Sequence, residues 1–153
     1  MNYSIILPTL NEKNHITNLI DEISDIFILN KKKYEIIIVD DNSDDGTIDV
    51  INNYIKTKDN VKLFVRSNQK KNLAKSINLG IQKSIFENVI WMDADFQHPP
   101  EYINEFIKKS ENYDLILCSR FLDESKRYFE KDLNVKELNE NQSIFFNKLC
   151  NFF

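Results

Sequence analysis

Five short runs rich in isoleucine and valine constrain this chain more than anything else in it: residues 3–7, 34–39, 61–65, 88–92 and 114–118. Each is nearly continuous in apolar side chains instead of alternating apolar with polar. That pattern suits strands buried on both faces of a parallel sheet. The segments between them repeat at helical spacing. Ile16, Leu19, Ile20, Ile23 and Phe27 recur at three and four, and Ile48, Ile51 and Ile55 do the same after Thr47, the expected N-cap. Leu73, Ile77, Ile81 and Ile85 are spaced by four, and Ile103, Phe106 and Ile107 follow Pro100, which suits a first helical turn. Regular strand–helix alternation predicts right-handed crossovers and a doubly wound α/β sheet.

A chain of 153 residues is long enough for one domain with a real core, and residues 1–153 show no linker, repeat or low-complexity tract. The formal net charge of −4 and the scattered lysines exclude a basic footprint for nucleic acid. Two cysteines, Cys118 and Cys150, make no disulfide framework, so a reducing cytoplasm is the expected compartment. No signal peptide is visible, and no apolar run reaches the roughly 18 residues of a membrane span.

The fourth apolar run stops on Asp93-Ala94-Asp95, followed by Gln97 and by Pro99-Pro100. Open α/β sheets bind ligands beyond the carboxyl ends of their strands. Two or three oxygens on a short loop there suit Mg²⁺ or Mn²⁺, which complete their shells with water and substrate phosphates. A bare Asp-x-Asp is more often a solvated loop; the strand before it and the Gln and Pro-Pro after it favour a site. Three other strand ends share this edge: residues 8–12, residues 40–47 and Ser119-Arg120. Asp41 can accept hydrogen bonds from a nucleobase or ribose, and Arg120 can pair bidentately with a phosphate. Asp44, Asp45 and Gly46 read as turn and helix-start chemistry, and His15 and His98 as bystanders. Glu12 also suits a helix N-terminus.

Taken together, Pro-Thr-Leu-Asn-Glu at 8–12, Val-Asp-Asp-Asn-Ser-Asp-Asp-Gly-Thr at 39–47, Asn72-Leu73-Ala74 with Gly80, Met-Asp-Ala-Asp-Phe-Gln-His-Pro-Pro-Glu at 92–101 and Cys-Ser-Arg-Phe at 118–121 resemble the family 2 glycosyltransferases. The branch most alike is that of the dolichol-phosphate (polyprenyl-phosphate) mannosyltransferases. The resemblance implies the GT-A fold, a three-layer nucleotide-diphospho-sugar transferase architecture around a mainly parallel central sheet. It implies a membrane-associated hexosyltransferase that moves a sugar, with inversion, from a nucleotide sugar to a polyprenyl (dolichyl) phosphate. GDP-mannose is the expected donor, with a UDP-sugar the alternative. By the family pattern Pro8, Leu10, Glu12, Val39 and Asp41 hold the nucleoside, and Ala94 lines the donor site. Asp93, Asp95 and Gln97 bind Mg²⁺ or Mn²⁺, and Arg120 faces the phosphates. Asp95 and Arg120 are the expected catalytic pair. An acceptor phosphate is already anionic, so it can attack the anomeric carbon without a protein general base, and catalysis rests on positioning and electrostatics.

The sequence departs from that pattern in places. Leu10 stands where the family usually has Tyr, and Asn72 where it usually has Gly. Ser143 and Asn147 keep a family spacing, but Asn139 and Glu140 replace an Arg-Arg pair. The typical member also continues beyond this end, so the expected domain is the donor-binding part, with the acceptor-side part short. Such a chain is expected to bind a nucleotide sugar better than it transfers one. An inactive or split nucleotide-sugar binding module is the alternative, ahead of a receiver-type signalling domain or a haloacid-dehalogenase-like phosphatase. Ile144, Phe145, Leu149, Phe152 and Phe153 fit one helical stripe. It would cover this domain's own sheet, or meet a partner chain or the cytoplasmic face of a membrane.

Overall fold

The computed structural model describes residues 1–118 and 149–152. Among these residues ten strands and α-helices follow in order: β1 (Asn2–Thr9), α1 (Ile16–Leu29), β2 (Lys33–Asp40), α2 (Thr47–Tyr54), β3 (Val61–Val65), α3 (Leu73–Lys83), β4 (Asn88–Trp91), α4 (Ile103–Lys109), β5 (Ile116–Cys118) and β6 (Leu149–Phe152). The strands form one sheet in the order β3-β2-β1-β4-β6-β5. Every pairing is parallel; Ile5 lies beside Ile36 on one side and Ile90 on the other. The order of winding reverses at β1 and β4, which places a crevice beyond their carboxyl ends.

Alternate residues of each strand serve opposite faces of the sheet. Tyr3, Ile5, Leu7, Ile36, Ile38, Ile90 and Met92 pack with Ile16, Leu19, Ile20, Ile23 and Phe27 of α1, Ile51 of α2 and Phe106 of α4. Ile6, Ile37, Val39, Val89 and Trp91 pack with Ile81 of α3. Three helices therefore cover one face and α3 the other, which is the expected three-layer arrangement. Gly80 lets α3 lie close: a Cβ there would stand 2.4 Å from Cγ2 of Ile6.

Four local expectations need correction. Gly46, at φ +96°, is the N-cap of α2, and Thr47 is its first residue. Helix α3 stops at Lys83, so Ile85 leaves the predicted stripe and is 65% exposed. Its backbone N–H instead donates to Glu35, 2.7 Å away. The strand predicted over 114–118 begins at Ile116. Leu149–Phe152, read as helical, is a strand inserted between β4 and β5. Ile144, Phe145 and Phe153 lie outside the described residues. No helix among the described residues is long and apolar enough to cross a membrane.

Candidate functional site

A cleft of about 390 Å³ opens at the carboxyl edge of the sheet. The end of β1 and its exit loop contribute Pro8, Thr9, Leu10 and Glu12, and the end of β2 contributes Asp41. The crossover from β3 into α3 contributes Lys71, Asn72, Leu73 and Ser76, and the end of β4 contributes Asp93, Ala94 and Asp95. Seven of these, Pro8, Leu10, Glu12, Asp41, Asp93, Ala94 and Asp95, are residues the sequence assigns to the site. Val39 is not among them: its side chain is fully buried in the sheet core beside Ile6 and Trp91. Gln97 is exposed and does not line the cleft. Arg120 lies outside the described residues.

Sharp turns at the strand ends make the cleft. Asn11, Asn42 and Phe96, after β1, β2 and β4, take φ values of 64°, 61° and 62°. Asparagine tolerates that left-handed conformation; a phenylalanine there is uncommon and is held by its surroundings. The first two turns are tied to one another. Buried Asp40 accepts from Oγ1 of Thr9 and from the N–H and hydroxyl of Ser43. Nδ2 of Asn11 donates to Asp44 while the Asp44 N–H returns a bond to Asn11. Asp45 accepts from the N–H of Thr47 and of Lys13. These three carboxylates are therefore occupied in building the loop, as the sequence suggests for Asp44 and Asp45.

Asp41 differs. It is 6% exposed, and its two oxygens take separate protein donors: Oδ1 the guanidinium of Arg66, and Oδ2 the N–H of Asn72. Arg66 is itself buried and also donates to Oγ of Ser76 at 2.9 Å and the carbonyl of Asn72 at 3.0 Å. Longer bonds reach Gln69 and the carbonyl of Lys70. A carboxylate so held is an acceptor only, and each oxygen keeps a further lone pair for a ligand N–H or O–H. Arg66 escaped the sequence reading. It follows β3 directly, so the strand-end rule that selected Arg120 selects it too.

The opposite wall is acidic. Oδ1 of Asp95 accepts from the Gln97 N–H at 3.0 Å, which turns the loop back on itself. The Asp93 N–H donates to Nδ1 of His98 at 3.3 Å, and His98 is 8% exposed. His98 is thus a brace for this loop instead of a bystander. Nδ1 of His98 also lies 3.5 Å from Oδ2 of Asp93. Burial pushes the Glu12 carboxyl above its ordinary value, and the charge of Asp95 adds to the shift, with His15 opposing it. Glu12, Asp93 and Asp95 thus bring three carboxylates together in the cleft, an arrangement that favours a bound cation.

Among the described residues no three His, Cys, Asp or Glu side chains form a ready-made metal cage. Two partly exposed carboxylates on one open loop fit Mg²⁺ or Mn²⁺, hard cations that draw their remaining oxygens from water and phosphate. The donor set present therefore fits the expected metal with Asp93 and Asp95 as ligands.

The family model described as "Glycosyl transferase family 2" matches residues 4–152. The chain is 31% identical over 120 residues to the dolichol-phosphate mannosyltransferase of Saccharomyces cerevisiae, covering 78% of this chain and 45% of that protein. It is 33% identical over 123 residues to the dolichol-phosphate mannosyltransferase of Pyrococcus furiosus, covering 80% and 34%. It therefore spans less than half the length of these relatives. Among solved structures, the mannosyltransferase PcManGT from Pyrobaculum calidifontis in complex with GDP-Man and Mn²⁺ superposes with a TM-score of 0.64. That match has 22% identity and covers 77% of this chain and 35% of that one. Mannosyl-3-phosphoglycerate synthase from Rubrobacter xylanophilus gives a TM-score of 0.63 at 17% identity, over 77% and 40%. Such identities speak for the fold, and the fold is that of GT-A glycosyltransferases. The switch-point cleft, its paired aspartates and the matched length of sequence agree: this chain belongs to glycosyl transferase family 2.

Proposed function

We propose that this chain is the donor-binding part of a metal-dependent inverting glycosyltransferase that moves mannose from GDP-mannose to a polyprenyl phosphate. The observation that carries the reading is the convergence of Asp41 and the Asp93–Asp95 pair on one cleft from opposite sides of the sheet's switch point. Asp41 accepts an N–H or O–H of the nucleoside, and Pro8 and Leu10 supply an apolar wall. Asp95, with Asp93 and Gln97, would hold Mg²⁺ or Mn²⁺, and the Gln97 N–H braces Asp95. When bound, the metal neutralises charge on the departing nucleoside diphosphate. Ala94, small and 3% exposed, leaves room for the sugar. Arg120 completes the phosphate side in this reading. The acceptor phosphate needs no base, which agrees with a cleft whose carboxylates are committed to donor and cation. The chain works at the cytoplasmic face of a membrane, where a polyprenyl phosphate presents its head group.

A second reading, donor binding without transfer, rests on Asn139 and Glu140, which stand where the resembling family has an Arg-Arg pair. The two are separated by incubating the chain with GDP-mannose, Mn²⁺ and polyprenyl phosphate in detergent and following mannosyl lipid by chromatography. Metal-dependent product supports transfer. Nucleotide binding without product from any nucleotide sugar supports the second reading.

A further inference from the structure

Among the described residues, the cleft is lined by one cation that its walls do not use. Arg66 is spent on Asp41, Ser76 and the 69–72 loop, but Lys71 lines the same cleft, is exposed, and makes no hydrogen bond or ion pair among the described residues. Its position is fixed from both sides. The carbonyls of Lys70 and Asn72, one residue before and one after, both accept from Arg66, and the Asn72 N–H is held by Asp41. A side chain free to move thus leaves a backbone clamped at the cleft wall. Leu73 and Ser76, which follow it, also line the cleft. Lys70 is also exposed but does not line the cleft.

Resting on the donor-site reading above, we propose that Lys71 is a further donor-binding residue. Its ammonium donates to an acceptor oxygen of the bound nucleotide and complements the acceptor-only Asp41. An ammonium offers three donors and no acceptor, so its partner is a phosphate, hydroxyl or carbonyl oxygen of the ligand. The crossover from β3 is separated from the Asp93–Asp95 loop by β2 and β1, so Lys71 and the metal-binding wall engage the nucleotide from different sides.

The test is calorimetric binding of GDP and of guanosine, each with Mn²⁺, to the full chain and to Lys71→Ala, Lys71→Arg and Lys70→Ala. Lys71 is exposed, so its replacement leaves the fold intact. Losing one charge-assisted hydrogen bond should weaken GDP binding by about tenfold or more. Arg at this position should restore most of it, and Lys70→Ala should bind as the wild type does. A loss confined to GDP assigns the phosphate as partner; an equal loss for guanosine assigns a base or ribose oxygen. Wild-type affinity in Lys71→Ala, or the same loss in Lys70→Ala, overturns the proposal while the donor-site reading stands. Failure of the wild-type chain to bind GDP overturns both.

Discussion

Arg66 and Asp41 form a buried ion pair that joins the end of β3 to the end of β2, 4% and 6% exposed respectively. Both also hold the loop that leads into α3, so one pair fixes the cleft wall and the element behind it. Removing one partner strands the other charge out of water. Arg66→Met should cost about 3–5 kcal/mol of stability. Arg66→Lys keeps the charge but not the fork, and should lose part of that. Urea unfolding followed by circular dichroism measures both; a loss under about 1 kcal/mol for Arg66→Met contradicts the role given to the pair.

Gly80 is required by the closeness of α3 to β1. Gly80→Ala places a methyl against Ile6 and should destabilise by about 1–3 kcal/mol, despite alanine's better helix propensity. Ile6→Ala opens space at the same point, so a double-mutant cycle should show a clearly less than additive cost. Additive costs would place the strain elsewhere.

Glu35 sets an acid-side limit to stability. Burial alone would raise its pKa, but hydrogen bonds from the Ile85 N–H, Ser4 and Lys62 outweigh burial and hold it below the ordinary 4.5. A depressed carboxylate contributes stability that is present above the unfolded value and lost as pH falls through the folded one. Unfolding free energy should therefore decline below about pH 4.5, and Glu35→Gln should flatten that decline while lowering stability at neutral pH. An unchanged acid slope in the variant would assign the decline to other groups.

The parallel sheet was legible because Ile and Val fill strands such as 34–39 that are covered on both faces. The strand-end rule then placed Asp41, Asp93 and Asp95 on one edge. What stayed hidden depended on tertiary partners. Ile85 continues a four-residue spacing, yet its N–H goes to Glu35, and Ser84 leaves the helix in an extended conformation. Leu149–Phe152 is too short for periodicity to separate strand from helix, and its place between β4 and β5 decides the matter. Val39 carries the right local motif, but the pleat turns its side chain into the core. Lys71 gave no signal at all, since an exposed lysine in a lysine-rich loop differs from its neighbours only by where it points.

Coupling between nucleotide and metal at Asp95 tests the central claim most directly. GDP titrated into the chain should bind at least about tenfold more tightly with Mn²⁺ than with a chelator, since phosphate and carboxylate oxygens share the ion. Asp95→Asn should abolish that enhancement while leaving metal-free binding through Asp41 nearly unchanged. Equal coupling in wild type and variant, or none in either, would contradict a donor site built on Asp41, Asp93 and Asp95.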